Sequence, residues 1–301
     1  MLNNVDHILL TRFNLPSNGY ESMVRAREGW LRNRVELFER YCLPSVRSQS
    51  DKRFKWIIYF DPLSPDWMKE RITELNRDGL FIPVYRHEVL RGQLISDLKA
   101  AVGTPAGYLL TSNLDNDDGV ASDFTARLRS VVPDGRTAAI YLLHGLIMSG
   151  GGVYRHTDPS NAFCSVLSPW PAPQTCWAEW HNQLERTMPV IRLDGPPAWL
   201  QVVHGSNVSN RVHGRRVSPT RFLDAFPGLL DELADPTLGQ LLADRAALFP
   251  ARMARDAGRK AAKTVVRTIS GPEGIDEFKL RAAFLMRKVS KAMKGARNGS
   301  L

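Results

Sequence analysis

Cysteine is scarce in the 301-residue sequence, with thiols only at Cys42, Cys164 and Cys176. They are odd in number, far apart and without ligand-like spacing, which argues against a disulfide framework or a zinc site and suits a reducing compartment. No window approaches about 18 uncharged apolar residues, so no membrane-spanning helix is expected. The opening MLNNVDHILLTRFN has an acid at Asp6 and neither the basic start nor the apolar core of a secretory leader. Together these absences predict a cytosolic protein. There is no G-x-G-x-x-G, and Gly150–Gly152 lacks a P-loop lysine and a following helix start, so neither nucleotide fingerprint applies. Spacing reveals no Ser/His/Asp or Cys/His nucleophile and no internal repeat.

Net charge is also missing from most of the chain. The whole carries 40 Lys+Arg against 31 Asp+Glu, a net +9. Residues 251–301 hold 13 basic and 4 acidic side chains and so carry that whole excess. Residues 1–250 are neutral, which excludes a nucleic-acid-coating basic domain, because the body has no net field to attract phosphates.

What is present is an alternation of apolar runs and helix-period segments. Strands are expected at 6–13, 54–61, 81–87 and 107–112, with helices near 28–47, 65–77 and 93–102 between them. Pro44 is expected to kink or end the first helix. Strand and helix in alternation predict an α/β protein with a parallel sheet covered on both faces. Further on, a helix is expected at 122–130, strands at 137–144 and 197–205, and helical structure from Ser218 onward.

The sharpest chemical signal is Asp115-Asn116-Asp117-Asp118-Gly119, directly after a strand. Ligands of open α/β sheets bind at the carboxyl ends of strands. Three carboxylates in four residues repel unless a positive partner neutralises them, and such hard oxygens suit Mg²⁺ or Mn²⁺. An Asx-rich turn leading into the next helix is the plainer alternative. His204 ends an apolar strand and could ligate a metal or donate to a phosphate. Thr11-Arg12-Phe13-Asn14 closes the first strand, where Arg12 and backbone amides could hold a base or pyrophosphate, and Asp61 closes the second in the same position. Trp170, Trp177, Trp180 and Trp199 fall within thirty residues and suit either core packing or a sugar platform.

The segments TRFNLPSNGYE (11–21), WLRNRVELFERYCLPSVRSQSDKRFKWIIYFDPLSP (30–65), LLTSNLDNDDG (109–119) and PAWLQVVHGSNVSNRVHG (197–214) together resemble a rhamnosyltransferase family with the GT-A glycosyltransferase fold. The likeness spans roughly 5–215, and Asn113 stands where that family usually has arginine. The resemblance implies a GT-A-like (Rossmann-like) mixed sheet flanked by helices over residues 1–217, with a helical basic C-terminal extension over 218–301. It implies a nucleotide-sugar donor, with Thr11, Arg12, Asn14 and Asp61 near base and ribose. Asp115 would face the ribose or a metal-bound water, and Asp117, Asp118 and His204 would hold a divalent cation, Mn²⁺ or Mg²⁺. A base for an acceptor hydroxyl would come from the second half, where Asp158 and Glu179 are the candidates.

In the tail, residues 276–297 place Phe278, Ala282, Leu285, Met286, Val289, Met293 and Ala296 on one stripe opposite Arg287, Lys291 and Lys294. An anionic membrane surface, the protein's own body or a second copy each suits that pattern, whereas nucleic acid does not. The expectation is a metal-dependent glycosyltransferase moving sugar to a glycan or lipid-linked acceptor, peripheral on the inner face of the membrane. A non-catalytic nucleotide-sugar or glycan-binding protein, and a metal-dependent phosphoryl-transfer enzyme or nuclease, remain open alternatives.

Overall fold

A computed structural model describes residues 4–16, 29–204 and 211–258. The 276–297 stripe, residues 205–210 and residues 17–21 of the first resembling segment lie outside them.

Four parallel strands form the heart of the larger sheet: β1 (Val5–Arg12), β2 (Lys55–Phe60), β3 (Ile82–Tyr85) and β4 (Tyr108–Asn113). Successive side chains of a strand point to opposite faces, so a nearly continuous apolar run feeds two cores at once. Leu9, Trp56, Ile58 and Leu110 pack on one face against Phe38, Val46, Met68 and Ile72 of the helical segments α1 (Trp30–Leu37), the π-turn Phe38–Cys42, α2 (Leu43–Arg47) and α3 (Asp66–Leu75). Ile8, Leu10, Ile57 and Leu109 pack on the other face against Leu94 and Leu98 of α4 (Arg91–Val102). Both faces are covered by helices, as the alternation implies.

Three features depart from the expected layout. The first helical segment runs through Pro44 rather than ending there. The π-turn at Phe38–Cys42 immediately precedes the proline and relieves the clash of its ring with the preceding carbonyls. Second, the sheet is mixed, which departs from the all-parallel sheet of the alternation but agrees with the mixed sheet that the resemblance implies. β9 (Ser165–Pro169) lies antiparallel between β4 and β6 (Ala138–Leu142), and β10 (Val190–Leu193) extends it beyond β6, giving the order β10-β6-β9-β4-β1-β2-β3. Third, the stretch 145–154 is a hairpin, β7 (His144–Ser149) and β8 (Gly152–Thr157), turned by Gly150 and Gly151 at φ 55° and 73°. Two consecutive positive φ values make the tight turn that glycine tolerates best.

The hairpin belongs to a second sheet, ordered β12-β8-β7-β11-β5, with β5 (Gly119–Val120), β11 (Trp199–Val202) and β12 (Arg215–Val217). A third core covers it, in which Phe226, Leu229 and Leu230 pack with Ala121, Leu146 and Leu200. Phe226, Leu229 and Leu230, which lie beyond residue 217 in the expected extension, thus pack on the second sheet. α5 (Phe124–Arg129) follows β5, and from Leu238 helical backbone runs to 258, beginning with α6 (Leu238–Ala243).

Candidate functional site

The acidic turn leaves β4 at the carboxyl edge of the large sheet and opens into β5 of the small one. Its ends are tied down by its own side chains. Asn116 Nδ2 donates to the Phe13 carbonyl at 2.7 Å, linking the turn to the end of β1. Asp118 Oδ1 accepts the Val202 N–H at 2.8 Å, linking it to β11. Between these anchors, Asp117 Oδ2 lies 2.9 Å from His204 Nε2 and is also ion-paired to Arg34 of α1. Arg34 Nη1 donates to Asn116 Oδ1 at 3.2 Å as well, so one guanidinium braces two residues of the turn. Both Arg34 and Asp117 are largely buried, with side chains 13% and 7% exposed.

The three acids differ in electrostatics because they differ in partners. For Asp117 desolvation opposes ionisation, but the His204 hydrogen bond and the Arg34 charge outweigh it and hold the carboxyl below the usual range. Asp118 is pushed well up, first by burial and then by the charges of Asp117 and Asp115. Its Oδ2 is buried and has no hydrogen-bond partner among the described residues. Asp115 stands exposed at the rim, and desolvation by the surrounding wall, then the Asp117 charge, raises it.

Beside the turn lies a cavity of about 260 Å³. Arg12 from the end of β1, Val89, Arg91 and Leu94 at the start of α4, and Trp177 and Glu179 from the loop after β9 are among its lining residues. The Arg12 guanidinium sits over the Trp177 ring, 4.2 Å from its centre. Trp177 Nε1 donates to Asn113 Oδ1 at 2.7 Å, and Asn113 Nδ2 donates to Asp115 Oδ1 at 3.3 Å. Trp177 lines the cavity, and Asn113 links it by hydrogen bonds to Asp115 of the acidic turn. Asn113 is the joint between them.

The candidate residues divide accordingly. Asp117 and His204 are brought together, and Arg12 and Glu179 face one cavity. Asp118 departs from the expected ligand set: its bonded oxygen serves the β11 backbone, and no group of three or more His, Cys, Asp or Glu side chains able to hold a metal occurs among the described residues. Thr11 is fully buried, its hydroxyl donating to the Leu114 carbonyl at 2.8 Å and accepting from Trp56 Nε1 at 2.9 Å, so it braces the core and does not face a ligand. Asn14 is likewise buried, donating to Ser64 Oγ at 2.9 Å and accepting the Asp61 N–H at 3.0 Å. Asp61 caps its own loop by accepting the Leu63 N–H at 2.9 Å. Asp158, expected as a base, does the same through Oδ1 for the Ser160 N–H at 2.9 Å. Of the four clustered tryptophans, Trp170 and Trp199 are core residues, Trp180 is exposed, and Trp177 alone lines the cavity.

Arg34 and Arg91 escaped the sequence reading. Arg34 lies 83 positions before its partner Asp117 on a helix with no distinguishing pattern, so no local signal marks it.

Among solved structures, the chain is similar to S. aureus TarS residues 1–349 in complex with UDP-GlcNAc, at 12% identity and a TM-score of 0.41, over 73% of this chain and 64% of that one. It thus spans less than two thirds of that structure's length. It is also similar to the inositol-1-phosphate CTP transferase from T. maritima, at 10% identity and a TM-score of 0.35, over 70% of this chain and 94% of that one. No curated protein matches by sequence. A family profile described as "Putative rhamnosyl transferase" matches residues 6–216, which take in β1, the acidic turn, the cavity wall and His204. The chain belongs to that family.

Proposed function

We propose that the protein is a glycosyltransferase that takes a sugar from a nucleotide-sugar donor and passes it to a glycan or lipid-linked acceptor. The observation that carries this reading is a hydrogen-bond link: Trp177, which lines a cavity together with Arg12 and Arg91, donates to Asn113, which donates to Asp115 in a turn of three carboxylates at the carboxyl edge of the sheet. In this reading Arg12 and Arg91 neutralise the anionic part of the donor, the Trp177 side of the cavity takes a flat or apolar part, and Asp115 meets a hydroxyl at the rim.

Asp117 and His204, with a carboxylate and an imidazole 2.9 Å apart, would hold a hard divalent cation, Mn²⁺ or Mg²⁺. When bound, such a cation supplies Lewis-acid stabilisation of the departing diphosphate. Arg34 keeps Asp117 ionised and fixed, so it is a positioning residue. Glu179, on the cavity and without the turn-closing bond that occupies Asp158, is the carboxylate assigned to the acceptor hydroxyl.

A thermal-shift series with nucleoside diphosphates, with and without Mn²⁺, tests the donor site, because a ligand of the native state raises its melting temperature. A shift that Arg12→Ala abolishes is expected. No shift with any nucleotide, with or without metal, would sink the proposal. Nucleotide-sugar hydrolysis that exceeds background then separates an enzyme from a binding protein, and DNA or RNA cleavage in the same buffer would favour a nuclease.

A further inference from the structure

We infer that the outward face of the helical segment 238–258 is an interfacial surface that rests on an anionic lipid bilayer. The segment opens with a true cap: Thr237 Oγ1 accepts the Gln240 N–H at 3.2 Å and Gln240 returns the bond to the Thr237 N–H at 3.0 Å. It is moored to the second sheet by its acids. Asp244, 1% exposed, accepts the Arg216 N–H at 2.9 Å and pairs with Arg252 at 2.6 Å, and Asp256 pairs with His213 at 2.7 Å.

Both acids of the segment are thereby turned to the body. What remains outside is one-sided in charge and apolar: Leu238, Leu242, Leu248 and Met253 are 72%, 55%, 53% and 56% exposed, with Arg245 and Arg255 exposed among them. No acidic side chain is exposed between 238 and 258. Large apolar residues in water on a helix whose only exposed charges are positive make the pattern of a helix lying in a membrane interface. A protein partner would need an acidic apolar groove, whereas an anionic bilayer offers both features at once.

The sequence continues the same bias, since residues 259–301 carry 11 basic and 3 acidic side chains. Each basic residue near an anionic surface adds attraction that salt screens. Among the described residues no helix is long and apolar enough to cross a membrane, so contact here is along a surface. The inference stands apart from the proposed chemistry, because the helix shares no residue with the cavity or the acidic turn.

Co-sedimentation of the full chain with vesicles of phosphatidylglycerol and phosphatidylcholine, against phosphatidylcholine alone, is the test. Binding to the anionic vesicles only is expected. The triple variant Leu242→Asp, Leu248→Asp, Met253→Asp should lower it at least tenfold with an unchanged melting temperature. Should that variant fail to fold, Leu248→Cys labelled with an environment-sensitive fluorophore replaces it, the three native thiols being buried. A blue shift with anionic vesicles is expected. Equal binding by wild type and triple variant, or no spectral change at position 248, would overturn the inference. So would a wild-type dimer that the triple variant dissociates in the absence of any vesicle binding, because a second copy would then be the occupant.

Discussion

At the acidic turn, side chains of one type have different fates because their partners differ. Asp117 is held ionised by His204 and Arg34, while Asp118, deeper and facing its neighbours' charges, is pushed the other way. Arg34→Ala should therefore strand a buried carboxylate. Breaking such a pair costs about 3–5 kcal/mol, read as a lowered midpoint in chemical denaturation, together with loss of the nucleotide-dependent thermal shift. Asp117→Asn keeps the shape and removes the charge, so any donor turnover should fall by about 100-fold or more, in line with losing one electrostatic contact to the reacting groups. Retained turnover in that variant would remove Asp117 from the chemistry.

His7 offers a pH prediction away from the site. It is buried under the sheet, its Nε2 within 2.9 Å of Ser112 Oγ, and burial followed by the Arg129 charge lowers its pKa to about 3. A base whose native pKa lies below its unfolded value of about 6.5 binds fewer protons when folded. Its contribution is therefore complete above pH 6.5 and is lost progressively as pH falls toward 3. The expected loss is about 2 kcal/mol by pH 5. Urea midpoints at pH 7 and 5 check this, and the slope should flatten in His7→Phe.

Elements meet where a side chain has been left out. Gly145 on β7 lies beneath the indole of Trp199, and a Cβ there would sit 1.9 Å from the ring. Trp199 is held from the other side by its Nε1 donating to the Leu142 carbonyl at 3.0 Å and by Phe163 stacked at 5.3 Å, so it has no room to yield. Gly145→Ala should cost about 1–3 kcal/mol or more by overpacking, measurable as a fall in melting temperature. The element boundaries themselves were mostly legible. Apolar runs such as FKWIIYF announce a strand buried on both faces, and the expected 54–61 contains the observed Lys55–Phe60. β9 was not legible, because SVLSP carries two serines and a proline within five residues. Ser165 is satisfied in the core by Ser112 Oγ at 2.7 Å, a partner 53 positions away.

Over the whole molecule, the second sheet and its cover decide where the body ends. Phe226, within the segment expected to form a C-terminal extension, is fully buried. Phe226→Ala should cost about 3–5 kcal/mol, as for an aromatic removed from a packed core; a loss below 1 kcal/mol in equilibrium denaturation would return this segment to a peripheral role. Charge is also sorted at this scale. The neutral body places Arg12 and Arg91 on one cavity, and the positive excess begins on the outer face of the last described helix.

By itself the sequence determined the α/β class, the acidic turn at a strand's end and the basic bias of the last fifty residues, because hydrophobic period and local charge are properties of neighbours along the chain. Only the tertiary structure decided which of the acids share a partner, that Arg34 is that partner, and that Arg12 and Glu179 face one cavity while Asp158 closes its own turn. Those relations join residues tens of positions apart. Local pattern carries no trace of them, since burial and electrostatics depend on distance in space.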